Sequence, residues 1–420
     1  MPQRISLLPG VRLTAVRSEK FKTSCLSISL LRPLRRGEAG LNALIPSILL
    51  RGCGPWPGMR ELSRFLENAY GASVGSILRK RGEVQMIGLY AEFLDDALLP
   101  EPMLQTMISL LGSLLLDPVT VDGGFHPDYF AVERDNLLNA IDADANDKRV
   151  YAYRRLYREM FAGEAFATPA AGEKTDLEAV TPQSLYAYYR RVLVESPIEI
   201  FYLGSSDPEP VASAFRAILE PISSAERIQP TTASSFPLRQ PRLFSETQPL
   251  EQSKLVIGFR MAVPRSVTEL AAQQVFLTVY GAGSTSKLFL RMREEQSLCY
   301  NVSAAFDRRK GALFVYAGID AAQYEPAVRE IRAQLSACAE GEITDEELRL
   351  AKAQLLSQLR GIQDNPGRLE ELYTSDSLGP FFSALPERIA AVEAVTREAA
   401  AAAARTVRED TAFFLRGAAE

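Results

Sequence analysis

The sequence predicts an α+β protein made of two homologous halves, each an antiparallel-rich sheet packed with helices. Three observations carry that prediction. The chain has 420 residues, more than one hydrophobic core usually serves. One order of predicted strands and helices runs through it twice. Two short strings also recur: Tyr70-Gly71-Ala72 as Tyr280-Gly281-Ala282 (280 − 70 = 210), and Glu178-Ala179-Val180-Thr181 as Glu393-Ala394-Val395-Thr396 (393 − 178 = 215). Short strings match easily by chance, but order and spacing shared by two halves do not, so the pattern reads as a duplication.

Taken in order, alternating apolar residues predict strands over 11–16 and 24–31, joined by a charged turn at 18–22. A helix around 44–50 stops at the segment 52–58, which contains two prolines. The stretch 59–70 is amphipathic, with Leu62, Phe65, Leu66 and Ala69 on one face, and Gly71 ends it. Segments 74–79 and 84–91 read as a hairpin, 98–115 as a long buried helix, 127–141, 150–161 and 182–193 as further helices, and 198–203 as a strand. Pro, Ser, Thr and Gln then dominate from 221 onward, which sets domains at 1–220 and 251–420 with a linker at 221–250. A strand at 255–259 restarts the order. The helix at 321–338 matches the one at 98, the helix at 344–359 matches the one at 127, and a strand at 411–415 closes the second half as 198–203 closes the first.

Bulk composition narrows the function class. An apolar content of 47% with 24% charged residues is that of a soluble globular protein. A net charge of −5 argues against a nucleic-acid surface, and the basic runs at 32–36 and 79–81 read as solvated loop or edge charges. The start shows no apolar segment ending at a small-residue cleavage site, and the longest apolar stretch, 103–116, is too short for a bilayer and is interrupted by polar residues. A cytoplasmic protein without a membrane partner is the expectation. Cys25, Cys53, Cys299 and Cys338 have no Cys-x-x-Cys spacing and read as buried reduced thiols.

The stretch 280–300 has the most chemical definition. Gly281 and Gly283 permit an unusual backbone path, Ser284, Thr285 and Ser286 are placed to cap a helix beginning near Lys287, and Leu288, Phe289 and Met292 follow at helical spacing. An apolar strand then opens at Leu298, so Arg293 and Tyr300 are delivered close together. From composition alone these two read as a surface arginine and a half-buried strand tyrosine. Other candidates are weaker. His126, the one histidine, sits in a Gly-Gly-Phe-His-Pro-Asp turn and reads as a loop or helix-start residue. The segment 142–146 opens like a calcium loop, but Asp147 and Tyr153 stand where such a loop needs glycine and glutamate. Gly281-Ala-Gly283 lacks the lysine of a phosphate loop.

Together Gly281-x-Gly283, Ser286-Lys287-Leu288-Phe289, Arg293-Glu294 and Leu298-x-Tyr300 resemble the C-terminal signature of the insulinase-like (pitrilysin and processing-peptidase) zinc peptidases. The run from Thr344 to Lys352 resembles a further helix start of that family, and two homologous halves suit it. The resemblance implies a zinc motif in the first half, His-x-x-Glu-His, with a later carboxylate ligand. Aligned on Gly40 and Arg51-Gly52, the ligand positions hold Ala43 and Ser47, the base position holds Pro46, and the later ligand, seven residues after Glu133, falls on Ala140. None of the four side chains suits the task, and with one histidine in the whole chain a two-histidine zinc site cannot be assembled within it.

What the resemblance implies is therefore a non-catalytic subunit. It would carry no cofactor, pair with a homologous subunit that holds the zinc, and act on peptide through Arg293 and Tyr300, which in the family hydrogen-bond the scissile carbonyl. An edge strand near 74–79 would take extended peptide. The alternative is a structural or assembly protein derived from the same fold with no part in proteolysis. A self-sufficient metallopeptidase with unorthodox ligands is a third and poorer reading.

Overall fold

The computed structural model describes residues 1–223, 226–234 and 239–418. The first half opens with strands β1 (Gln3–Leu8), β2 (Val11–Arg17) and β3 (Thr23–Pro33), then helices α1 (Ala39–Leu49) and α2 (Met59–Asn68), the hairpin β4 (Ser73–Arg81) and β5 (Val84–Leu94), and helix α3 (Leu104–Leu116). A two-residue hairpin, β6 (Thr120–Val121) with β7 (Gly124–Phe125), leads to α4 (Pro127–Asn146), α5 (Lys148–Met160), α6 (Pro182–Glu195), strand β8 (Ile198–Gly204) and α7 (Pro208–Leu219). The second half runs β9 (Arg242–Pro249), β10 (Ser253–Arg260), α8 (Val267–Tyr280), a π-helical segment (Phe289–Glu295), β11 (Asn301–Asp307), β12 (Ala312–Ile319), α9 (Tyr324–Glu340) and α10 (Asp345–Ile362). It closes with α11 (Pro366–Asp376), α12 (Leu385–Ala394), α13 (Arg397–Ala404) and β13 (Arg408–Ala418). Among the described residues no helix is long and apolar enough to cross a membrane.

The strands form a six-stranded sheet, β1-β2-β8-β3-β5-β4, and a five-stranded one, β11-β12-β10-β13-β9. Read from β9, the second sheet repeats β2-β8-β3-β5-β4 strand for strand. In each, the first pair is parallel, β2 with β8 and β9 with β13, and the other pairings are antiparallel. The duplication is thus written in topology, with β1 having no counterpart in the second sheet among the described residues.

Of the two recurring strings, one is structural. Thr181 caps α6 by accepting the Ser184 N–H at 3.1 Å, Thr396 caps α13 by accepting the Ala399 N–H at 3.2 Å, and each helix feeds its sheet's closing strand. The other string is a coincidence. Tyr280 ends α8, which follows β10 as α1 follows β3, whereas Tyr70 lies beyond α2 in a left-handed turn (φ 57°) just before β4. A three-residue identity carries no topology.

By contacts, the chain divides into Met1–Ala143, Thr168–Thr231 and Asp364–Leu378 on one side, and Asp144–Ala167, Thr232–Gln363 and Gly379–Glu420 on the other. This differs from the division at 1–220 and 251–420 in two respects. Each half lends a helix to the other half's sheet, and strand β9 lies inside the expected linker 221–250, paired with β13 along its length. Helix α5 covers β10 and β13, burying Ala152, Leu156 and Met160 with Phe161 and Phe166 against Val256, Phe314, Phe413 and Leu415. Helix α11 covers β3 and β8. Its Glu370 is buried; one carboxylate oxygen pairs with Arg79 at 2.8 Å while the other accepts the Ser27 hydroxyl at 2.8 Å.

Other differences follow from prolines and polar decoration. The helix expected from 98 begins at Leu104, because Pro100 and Pro102 precede it. Strand β1 and helix α7, with prolines at 208 and 210, were not predicted; Pro208 sits at the first helical position, where its missing N–H costs nothing, and Val211, Ala212, Phe215 and Leu219 are buried behind it. All four cysteines are free and buried. Leu156 is 0% exposed, so Leu156→Ala is expected to destabilise the chain by about 3 kcal/mol, seen as a lower urea midpoint at unchanged slope.

Candidate functional site

Helix α1 carries three of the four positions that a zinc site would need. It starts under Asp176, whose carboxylate accepts the N–H groups of Gly37 at 3.1 Å and Gly40 at 3.0 Å, satisfying donors that a helix start leaves open. Ala43 is buried and offers a methyl group, Pro46 is buried within the helix, and Ser47 is half-buried. Beside them the polar side chains close on each other. Asn42 donates from Nδ2 to Gln85 Oε1 (2.9 Å) and accepts on Oδ1 from the Tyr188 hydroxyl (2.9 Å). Gln85 Nε2 donates to the carbonyls of Ala39 (2.9 Å) and Ala170 (2.6 Å). Burial, then the nearby Glu38 carboxylate, pushes the Tyr188 phenol up to about 12, so it remains a neutral donor.

Zinc does not fit this donor set. Two amides and a phenol are neutral and already paired, and the aligned positions bear a methyl, a ring and one hydroxyl. Ala140, on α4, is exposed, as is Asn139 beside it. Glu133 of the same helix pairs with Arg51. His126 serves as the start of α4: its carbonyl accepts the Phe130 N–H at 3.0 Å, its Nδ1 accepts the Asp128 N–H at 3.3 Å, and its ring stacks on Tyr129. Asp142 pairs with Lys174 and Asp144 with Arg154. Among the described residues there is no group of three His, Cys, Asp or Glu side chains able to hold a metal ion.

The segment from Tyr280 to Tyr300 is held from several sides. Gly281 presents its carbonyl to the Ala304 N–H at 2.8 Å, and a Cβ on it would meet the Ala304 side chain at 2.7 Å, so the close approach requires glycine. Gly283 has φ +129°, which disfavours other residues. The Ser286 hydroxyl donates to the Gly283 carbonyl (2.7 Å) and accepts the Phe289 N–H (3.4 Å), which makes it the cap. Gln354 of α10 donates to the Ala282 carbonyl at 2.8 Å. Lys287 pairs with Glu347 at 2.8 Å, and Glu347 closes a capping box with Thr344 at the start of α10. The two family-like motifs, at 281–300 and 344–352, are thereby bound to each other.

After Lys287 the chain widens into π-helix, where the Gln296 N–H donates five residues back to Arg291 at 3.1 Å; such turns recur at functional sites. Leu288 and Met292 are buried, which leaves Arg293 outward with its guanidinium 5.0 Å from the Phe289 ring centre and 3.7 Å from Glu294. Tyr300 is 63% exposed and is anchored by its backbone N–H on the Gly318 carbonyl at 2.9 Å. It is not the half-buried strand tyrosine of the composition-only reading. Burial pushes the thiol of Cys299, its neighbour, up to about 11, and the charge of Arg293 opposes that rise.

Sequence reasoning missed Asn42, Gln85, Tyr188 and Asp176. The available signal was Asn42, one amide inside the apolar run 41–50. Tyr188→Phe leaves Asn42 Oδ1 without its buried donor, for which a loss of about 1–3 kcal/mol in denaturant unfolding is expected.

Residues 179–355 match the family described as the peptidase M16 inactive domain. A "Probable inactive metalloprotease YmfF" of Bacillus subtilis (strain 168) is 29% identical over 412 residues, 97% of this chain and 96% of that one. Among solved structures, a conserved protein from Enterococcus faecalis V583 aligns with a TM-score of 0.92 at 27% identity, covering 100% of this chain and 99% of the other. The peptidase M16 inactive domain from Pseudomonas fluorescens aligns at 0.81 with 14% identity over 99% and 98%, a likeness of fold.

Proposed function

For this chain, an insulinase-like (M16) peptidase homologue that lacks the His-x-x-Glu-His motif and is a non-catalytic protein derived from that fold, we propose the role of inactive subunit in a two-chain zinc peptidase. The observation that carries the reading is asymmetric loss. Ala43, Pro46, Ser47 and Ala140 stand where metal chemistry would be, while Arg293 and Tyr300 stand exposed on a segment that two glycines, a cap and an ion pair hold in shape. A buried arginine or tyrosine could be explained by packing alone. These two are turned to solvent, and among the described residues the Tyr300 hydroxyl has no partner within the chain.

In this reading a homologous cytoplasmic subunit supplies the zinc, the activated water and the general base. This chain supplies chamber wall, peptide binding and two donors. The Arg293 guanidinium and Tyr300 hydroxyl donate to the carbonyl oxygen of the peptide bond being cut, where negative charge develops; one such donor is worth roughly 3 kcal/mol of transition-state stabilisation. Extended peptide is taken on β4, which among the described residues pairs with β5 alone and forms the edge of its sheet, a position to which a strand can be added.

Co-expression with a homologue bearing His-x-x-Glu-His tests this. Arg293→Ala and Tyr300→Phe are each expected to lower kcat for peptide cleavage by about 100-fold with the complex intact. Unaltered cleavage sinks the proposal. A second reading, a structural or assembly protein without proteolytic work, draws support from the satisfied amide and phenol set beside α1. On that reading the chain copurifies with partners that have no peptidase activity, and both substitutions are silent.

A further inference from the structure

We propose that the groove on the second sheet at the start of α5 is a binding site for a peptide carboxylate. The cavity is about 580 Å³ and is lined by Lys148 and Arg149 of α5, Lys254 of β10, Tyr316 of β12, and the acids Asp147 and Glu251. The groove brings together three cations that lack what their neighbours have. Elsewhere on this sheet Arg155 pairs with Glu246, Arg260 with Glu164 and Asp410, and Lys310 with Glu164. In the groove, Lys148 donates to the amide oxygen of Gln248 (2.9 Å) and lies 5.7 Å from the centre of the Tyr151 ring, and Lys254 donates to the amide oxygen of Gln252 (2.5 Å), with no carboxylate paired to either among the described residues. Arg149 reaches the Ser303 hydroxyl (3.5 Å) and the Tyr153 hydroxyl.

The acids compensate in part. Asp147, exposed like Arg149, accepts the N–H groups of Arg149 (2.8 Å) and Val150 (3.1 Å) on Oδ1, and Glu251 is exposed at the rim, so the two acids leave one of the three cations unmatched. Burial lowers the pKa of Lys254, with the charge of Asp147 opposing it. A bound anion would complete the set.

The Arg149 guanidinium lies 4.6 Å from the centre of the Tyr316 ring, which orients its planar fork, and such a fork takes a carboxylate or a phosphate in two parallel hydrogen bonds; a peptide offers the carboxylate. Ser303 belongs to β11, the strand that Tyr300 leads into. Three residues of strand span about 10 Å, so a peptide with its carbonyl at Tyr300 has its following residues in range of Arg149. The identity of the ligand as peptide rests on the proposed function; the carboxylate chemistry does not.

Calorimetric titration of the full chain with three probes tests the site: N-acetyl-pentaalanine with a free C-terminus, its C-terminal amide, and that amide with a central glutamate. The free acid or the glutamate amide is expected to bind about 10-fold or more tightly than the neutral amide, a preference that falls with added salt. Preference for the free acid assigns a C-terminal carboxylate; preference for the glutamate amide assigns an acidic side chain. The preference is lost in Arg149→Gln/Lys254→Gln with the unfolding midpoint unchanged, and is weakened in Lys148→Gln, which serves if the double variant does not fold. Equal affinity for all three probes, no binding at millimolar concentration, or a preference that survives the substitutions overturns the site. Neither partner nor cleavage enters this measurement, so its failure leaves the subunit reading untouched, and failure of the cleavage test leaves this result untouched.

Discussion

Neither sheet is covered on both faces by its own stretch of chain alone. The second sheet completes one face with α5, whose Leu156 and Met160 come from the first half, and the first sheet is completed by α11, whose Glu370 and Tyr373 come from the second. The central strands β3 and β8 are buried along nearly their whole length, so an uncovered face would leave the apolar side chains on that face in water. The exchanged helices are thus conditions for either sheet to exist in its observed form.

The α1 region follows the energetics of buried polar groups. A histidine pair binding zinc would satisfy its own lone pairs through the metal; with Ala43 and Ser47 in those places, the neighbouring amides must be satisfied by protein. Asn42, Gln85 and Tyr188 do this with distances of 2.9 Å between them, and the Asp176 carboxylate holds the helix start. An unpaired buried amide would cost about 1–3 kcal/mol, a loss that this network avoids. Burial also raises the pKa of all four thiols, Cys338 to about 12 and Cys299 to about 11, which favours the neutral thiol.

At 280–300 the logic runs the other way. Gly281, Ser286, Lys287 and Gln354 spend backbone conformation, caps and an ion pair on a segment whose outward side chains, Arg293 and Tyr300, add little to stability. Structure concentrated behind exposed groups is the usual sign that those groups meet something outside the chain.

Much of this was legible in residue order alone. Period-two and helical spacing located most of the elements, the repeated order disclosed the duplication, and one histidine in 420 residues excluded a histidine-based zinc site, because those are properties of local pattern and of counting. The motif at 281–300 likewise reads locally, since its glycines, caps and helix lie within about twenty residues of each other. What residue order left undecided depends on contacts between distant segments. An amphipathic helix such as 148–160 carries the same apolar face whichever sheet it covers, so its transfer to the second sheet is invisible until the tertiary structure is seen. Strand β9 hides in a polar stretch because burial alternates along it residue by residue. The identity of Tyr70-Gly71-Ala72 with Tyr280-Gly281-Ala282 proved empty for the same reason: an identity of residues says nothing of which strand comes before it, and only the packed sheet supplies that order.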